Sequence, residues 1–142
     1  MKTKIFCDSA DFTTIKKLNS NLLVKGFTTN PSLMRKAGIT DYKKFAFEIL
    51  NKIKEKPISF EVFSDEFDEM ENQALEIASW ASNVNVKIPI TNTKVESSVN
   101  LINKISEKGV SVNVTAMMTL EQVKSVLPGL ACLLYTSDAA DE

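Results

Sequence analysis

One residue of this chain sits where covalent chemistry could be done. Lys87 falls in the middle of Val84-Asn85-Val86-Lys87-Ile88-Pro89-Ile90-Thr91, a run with the alternation of a β-strand. Val84, Val86, Ile88 and Ile90 share one face, and Asn85 and Lys87 share the other. Burying an ammonium is costly unless it is paired or gives up its proton. An amine freed of its proton in dry surroundings is what a Schiff-base reaction requires. Taken alone, the eight residues are more simply read as an edge strand with the lysine on its wet face, because buried lysines are rare. The chain contains no histidine, which excludes His-based triads, imidazole metal sites and imidazole general bases together. Proton transfer falls to Asp, Glu, Lys, Tyr, Cys or water.

The elements that must position such a lysine alternate along the chain. Strands are expected at Lys4–Asp8, Val24–Asn30, Pro57–Phe63, Val84–Ile90 and Val110–Thr115. Helical spacing marks Asp11–Leu18 through Phe12, Ile15 and Leu18. Pro31 is suited to open a short helix that Gly38 closes, and Thr40 or Asp41 can cap a helix carrying Phe45, Ile49, Leu50 and Ile53. Asp65–Ala81 starts acidic and carries Phe67, Met70, Ala74 and Ile77, with Ala78 or Ala81 completing the stripe. Lys94–Lys108 is expected to turn Val99, Ile102 and Ile105 inward and to stop at Gly109. Thr119 caps a last helix through Val123 and Val126, broken near Pro128-Gly129. Five β-α units in series argue for parallel strands with helical crossovers.

Each strand has one apolar face and one face of small, polar or ionisable groups. Ile58, Phe60 and Val62 alternate with Ser59, Glu61 and Phe63, and Val110, Val112 and Val114 alternate with Ser111, Asn113 and Thr115. Open doubly wound sheets are apolar on both faces; a barrel places the apolar face against outer helices and the other face inside. Asp8, Asn30, Glu61 and Thr115 fall at strand C-terminal ends, with Lys87 one or two residues deeper. That is the end at which (β/α) barrels build chemistry. Plainer roles compete: Asp8 as a helix cap, Asn30 as an Asn-Pro turn residue, Glu61 as an exposed glutamate, and Asn113 and Thr115 as interior filling.

Composition sets the remaining bounds. The 142 residues suit one domain. A 44% apolar and 25% charged make-up is that of an ordinary globular protein, and a net charge of −1 gives no footprint for nucleic acid or an anionic membrane. No apolar run reaches membrane-spanning length, and the first strand begins too early to leave room for a signal peptide. Cys7 and Cys132 do not form a disulfide framework, so the cytosol is the simplest compartment. Four glycines provide no phosphate-gripping loop, and no nucleophile elbow is present.

The motifs resemble those of the small transaldolases. Phe6-Cys7-Asp8-Ser9-Ala10-Asp11 looks like the opening of that family, Gly26-Phe27-Thr28-Thr29-Asn30-Pro31-Ser32-Leu33 contains its Thr-Thr-Asn-Pro-Ser signature, Val86-Lys87-Ile88-Pro89-Ile90-Thr91 resembles the segment around the Schiff-base lysine, and Asn113-Val114-Thr115 is similar to an Asn-x-Thr on the next strand. The resemblance runs from Lys4 to about Leu127. It implies an α/β fold of the (β/α)₈ TIM-barrel family, with only about the first five units present. It implies no cofactor and no metal. The implied reaction, in the pentose phosphate pathway, moves a dihydroxyacetone unit from sedoheptulose 7-phosphate or fructose 6-phosphate to an aldose phosphate acceptor. Lys87 would form the imine, Asp8 would take the C4 hydroxyl proton, Glu61 and Thr115 would hold a proton-shuttling water, and Thr28, Asn30 and Asn113 would bind the donor. Glu61 favours a transaldolase, since the related fructose-6-phosphate aldolases carry Gln there. Full-length members are expected to be homo-oligomers.

The C-terminal stretch departs from that pattern. A (β/α)₈ barrel needs at least about 200 residues, and no counterpart of the family's phosphate-binding Ser, aromatic and Arg group appears. Residues 1–131 therefore read as a partial barrel, and residues 132–142, Cys132 to Glu142, as a non-native tail from adapter read-through. The expectations that follow are open edges on the first and fifth strands, an inner face open to water around Lys87, and a chain with little or no turnover. Two alternatives to a transaldolase remain: an aldolase-type lyase of the same family, and a non-catalytic half-barrel that binds phosphosugars or a protein.

Overall fold

The computed structural model describes residues 3–129 and the backbone of a strand at 133–135. In chain order the elements are β1 (Ile5–Asp8), α1 (Phe12–Asn19), β2 (Val24–Thr28), α2 (Pro31–Lys36), α3 (Tyr42–Lys52), β3 (Ile58–Glu61), α4 (Phe67–Ala78), β4 (Val84–Pro89), α5 (Val99–Glu107), β5 (Val112–Thr115), α6 (Leu120–Val126), a 3₁₀ turn (Leu127–Gly129) and β6 (Leu133–Tyr135). The strand–helix alternation and parallel pairing make this an α/β fold of the (β/α)₈ barrel family, with five β/α units. Contacts group the chain into two compact units, Met1–Glu61 with Trp80–Val84, and Val62–Ser79 with Asn85–Glu142.

In the first unit β1, β2 and β3 pair in parallel and in sequence order. Phe6 stands opposite Gly26, and the reason for a glycine is direct. A Cβ there would lie 2.2 Å from the Phe6 ring and 2.8 Å from the Pro57 carbonyl oxygen. Helix starts follow their caps: Asp11 accepts from the Thr14 amide and hydroxyl, Asn30 from the Leu33 amide, and Asp41 from the Lys44 amide. Gly38 takes a φ of +72° just past α2, a left-handed step that a Cβ would make costly. The outer side of β3 carries Phe60, fully buried, in edge-to-face contact with Tyr42 at 6.0 Å and Trp80 at 5.7 Å.

In the second unit β4 pairs with β5 in parallel, Val86 opposite Val112 and Ile88 opposite Val114. Met70, Ala74 and Ile77 of α4 and Leu101, Ile102 and Ile105 of α5 are the buried stripes of these helices, and α5 packs against both β5 and α4. Phe67 is only half-buried and begins α4 rather than anchoring it. Thr119 caps α6 in a reciprocal capping box with Gln122.

Three expectations are corrected here. The helix expected from Lys94 begins only at Val99. The buried Asn92 side chain accepts from the Lys94 and Glu96 amides and donates to the Glu96 carboxylate. That gives the backbone a local alternative to the helix, and Val95 is held at a φ of +64°. The fifth strand is not an open edge, because β6 pairs with it in parallel, Val112 opposite Leu133 and Val114 opposite Tyr135. Leu-Leu-Tyr has the β-propensity for that pairing, although no continuing pattern is expected in that stretch. The rest of the expected non-native tail, at 132 and 136–142, lies outside the described residues. Finally, the polar face of β4 and β5 is not open to water: Asn85, Lys87, Asn113 and Thr115 are all buried.

Glu71 of α4 receives Lys104 at 2.6 Å and Lys108 at 2.7 Å, both from the C-terminal end of α5. These two hydrogen bonds hold the carboxyl below its ordinary range. The folded state therefore binds fewer protons than the unfolded chain. The pair's contribution is fully present above the unfolded value, about pH 4.3, and fades as pH falls through the depressed folded value. We expect Glu71→Gln to flatten the acid limb of a stability–pH curve, measured by urea midpoints from pH 3 to 7. The difference should shrink in high salt, since the lysines are largely exposed. Equal acid limbs for both proteins would remove Glu71 from this role.

Candidate active site

β4 carries the lysine. Lys87 is 1% exposed and Asn113 is fully buried. The two stand opposite each other in the β4–β5 register, with Thr115 opposite Pro89. The reading of Lys87 as a wet-face edge lysine is therefore corrected. The β4 side chains of both faces are buried from Val84 through Ile88. A face packed with side chains from its own strands excludes water as well as one covered by helices does. The Lys87 carbonyl accepts from the Val62 amide at 3.2 Å, which fixes the backbone at the lysine.

In the first unit, Asp8 closes β1 and Thr28 closes β2, paired across the register. The buried Thr28 hydroxyl donates to Asp8 Oδ1 at 2.6 Å, a charge-assisted bond that aims an otherwise exposed carboxylate. The plainer role for Asp8, capping α1, belongs instead to Asp11. Next to Asp8, burial and then the Asp8 charge push the half-buried Cys7 thiol above its ordinary value. A thiol kept protonated is a poor nucleophile. Asn30 has a local role other than the expected Asn-Pro turn, since its Oδ1 caps α2 through the Leu33 amide at 2.9 Å. That bond also fixes the orientation of its amide.

Glu61 is half-buried at the end of β3, and its anchor was not legible in the sequence. Tyr42, the first residue of α3, donates its hydroxyl to the Glu61 carbonyl oxygen at 3.0 Å. Burial first, and then the Glu61 charge, push the Tyr42 phenol well above its ordinary range, so it stays a neutral donor. Asn85 is the second residue that sequence reasoning did not single out for chemistry. It shares the face of Lys87, is 7% exposed, and its amide Nδ2 has no hydrogen-bond partner.

Of the expected site residues, the second unit brings Lys87, Asn113 and Thr115 onto one strand pair, and the first brings Asp8 together with Thr28. Among the described residues, no group of three or more His, Cys, Asp or Glu side chains could hold a metal ion, and no helix is long and apolar enough to cross a membrane.

Fold and site together define a chain of the (β/α)₈-barrel class with a buried strand lysine two residues short of its strand's C-terminal end. A family profile described as Transaldolase/Fructose-6-phosphate aldolase matches residues 5–128. Similar proteins include a "probable transaldolase" of Dehalococcoides mccartyi, 40% identical over 134 residues covering 94% of this chain and 59% of that protein. Another, from Streptococcus agalactiae, is 39% identical over 124 residues, 87% of this chain and 55% of that protein. A third, from Methanococcus maripaludis, is 38% identical over 134 residues, 94% of this chain and 59% of its own length. The chain belongs to the transaldolase/fructose-6-phosphate aldolase family. It spans between 55% and 59% of the length of these relatives.

Proposed function

We propose that this chain carries the Schiff-base half of a transaldolase, with Lys87 as the nucleophile. The observation that carries the reading is a lysine buried to 1% exposure on a strand face shared with Asn113 and Thr115. In this reading the Lys87 amine attacks the C2 carbonyl of a ketose phosphate such as fructose 6-phosphate or sedoheptulose 7-phosphate. The carbinolamine loses water to give an iminium. Asp8 then removes the C4 hydroxyl proton, the C3–C4 bond breaks, and its electron pair moves toward the iminium nitrogen to leave an enamine and a free aldose phosphate. The enamine adds to an acceptor aldehyde, the C4 oxygen regains a proton, and hydrolysis frees Lys87. Glu61 and Thr115 hold the water that relays protons, and Thr28, Asn30 and Asn113 hold donor hydroxyls. Carboxylates stabilise the positive iminium electrostatically.

The test is borohydride reduction with fructose 6-phosphate, followed by peptide mass mapping. The expected product is a three-carbon adduct on Lys87. Adducts spread evenly over the surface lysines, with none on Lys87, would sink the reading. Asp8→Asn should still trap at Lys87, but the adduct should retain all six donor carbons, because the bond cannot break without loss of the C4 proton. Thr28→Val, which removes the donor to Asp8, should shift the adduct the same way in part. It should slow three-carbon adduct formation about tenfold, the size of one hydrogen bond to a charged group. An unchanged three-carbon product in Asp8→Asn would take the base role from Asp8.

The family description itself includes a second reading, a fructose-6-phosphate aldolase, and in that reading free dihydroxyacetone would be released. Glu61 supports the transferase. Release of free dihydroxyacetone at the rate of donor consumption would decide for the lyase.

A further inference from the structure

We propose that Asn85 is a positioning residue for Lys87, holding an ordered water in the side-chain layer directly beneath the lysine. The inference rests on the Schiff-base reading above and deepens it. Asn85 and Lys87 alternate onto the same face of β4, two residues and so about 6.6 Å apart along the strand. The opposite face, Val84, Val86 and Ile88, is wholly apolar and buried. Asn85 is itself 7% exposed, yet its Nδ2 donates to no protein group.

A buried amide donor without a partner is destabilising, and native structures usually satisfy such a group with an enclosed water. A valine here would be the better choice for folding alone, since it suits a strand and leaves no polar atom to satisfy. A polar residue in this position is instead suited to a face that must hold a long flexible side chain. Lysine loses much rotamer freedom when ordered. A water donated to by Asn85, lying between it and the buried Lys87 and Asn113 pair, fixes the height at which the amine meets a carbonyl.

The experiment compares two near-isosteric variants, Asn85→Val and Asn85→Thr, which differ in one hydroxyl able to bond the same water. Each is measured for urea midpoint and for the rate of reductive trapping of fructose 6-phosphate on Lys87, mapped by mass. Valine is expected to leave the midpoint equal or higher while slowing trapping at saturating sugar about tenfold, with half-saturation unchanged. Threonine is expected to restore most of the rate. Equal rates for wild type and valine, or equal losses for valine and threonine, overturn the proposal and leave Asn85 as filling. If valine does not fold, Asn85→Ala replaces it in the comparison with threonine. If the wild type itself gives no Lys87 adduct, the Schiff-base reading fails and this proposal falls with it; a wild-type adduct with an unchanged valine rate sinks this proposal alone.

Discussion

Replacing Lys87 by methionine is expected to abolish sugar trapping, and the stability change that accompanies it separates two causes of the lysine's burial. The two halves of that result have different causes. Reductive trapping requires a primary amine that can form an imine, and methionine has none, so the adduct on the peptide around residue 87 should fall to background. Stability is governed by what the amine's burial costs and what its interactions return. Lys87 is 1% exposed and stands opposite Asn113 in the strand register, and a buried polar or charged group is held at a cost unless its interactions repay it. Methionine keeps most of the length of the stem without the amine. Exchanging a buried ion pair whole for apolar groups of similar volume is often neutral or stabilising by about 1–4 kcal/mol, whereas removing one partner of such a pair costs about 3–5 kcal/mol. Urea midpoints and borohydride mass mapping on the same preparations measure both. A retained adduct on the methionine variant would place the reactive amine elsewhere. Loss of stability by several kcal/mol would show that Lys87 is a structural ion-pair partner, and that its burial serves the fold.

The sign of the stability change matters because burial has two readings. A lysine buried for stability should be missed when it is removed. A lysine buried for reactivity should be tolerated as an expense and its loss felt only in chemistry. Asn85 follows the same logic one layer down, where an amide with an unpartnered Nδ2 occupies a position a valine would fill more favourably.

Much of the scaffold was legible in the sequence because local rules settle it. Asp41, Thr119 and Gly38 do what their types suggest at helix ends, since capping needs only a side chain three residues from an amide, or a backbone that can turn left-handed. The start of α5 was not legible. Lys94 to Ser98 leads directly into the helical stripe of Val99, Ile102 and Ile105, but the Asn92 side chain binds the backbone of Lys94 and Glu96 in a non-helical loop. Such competition depends on one side chain's orientation and leaves no periodic trace. Lys87's burial was not legible from its own eight residues either. Alternation separates two faces of a strand, and cannot say which is dry until the neighbouring strand supplies Asn113 and Thr115. The pairing of Asp8 with Thr28, twenty residues apart, required the parallel register. The hydroxyl of Tyr42 on the Glu61 carbonyl is a tertiary contact with no sequence signal beyond a tyrosine at a helix start.

Phe60→Ala tests how far the anchor of Glu61 depends on packing behind it. Phe60 is fully buried on the outer side of β3. Its ring meets Tyr42 and Trp80 edge to face, and Tyr42 meets Trp80 at 5.7 Å, so the three rings close a triangle. Removing the Phe60 ring takes away its transfer energy and leaves a cavity beside Tyr42 and Trp80, which for phenylalanine costs about 3–5 kcal/mol. The aromatic geometry adds about 0.5–1.5 kcal/mol per pair beyond burial. A domain with about 5–15 kcal/mol in total would be left marginal. Trp80 is the only tryptophan in the chain, so its fluorescence reports the cavity directly. The expected outcome is a urea midpoint lowered by the full cavity cost, with Trp80 emission shifted to the red as water reaches the indole. A second consequence separates packing from chemistry. Where the variant stays folded in low urea, Tyr42 loses its lateral support and its hold on the Glu61 carbonyl. The relay role proposed for Glu61 then predicts slower imine formation, with the identity of the trapped lysine unchanged. A variant that loses less than about 1 kcal/mol would mean that the rings collapse to fill the space, and that β3 does not rely on them to present Glu61.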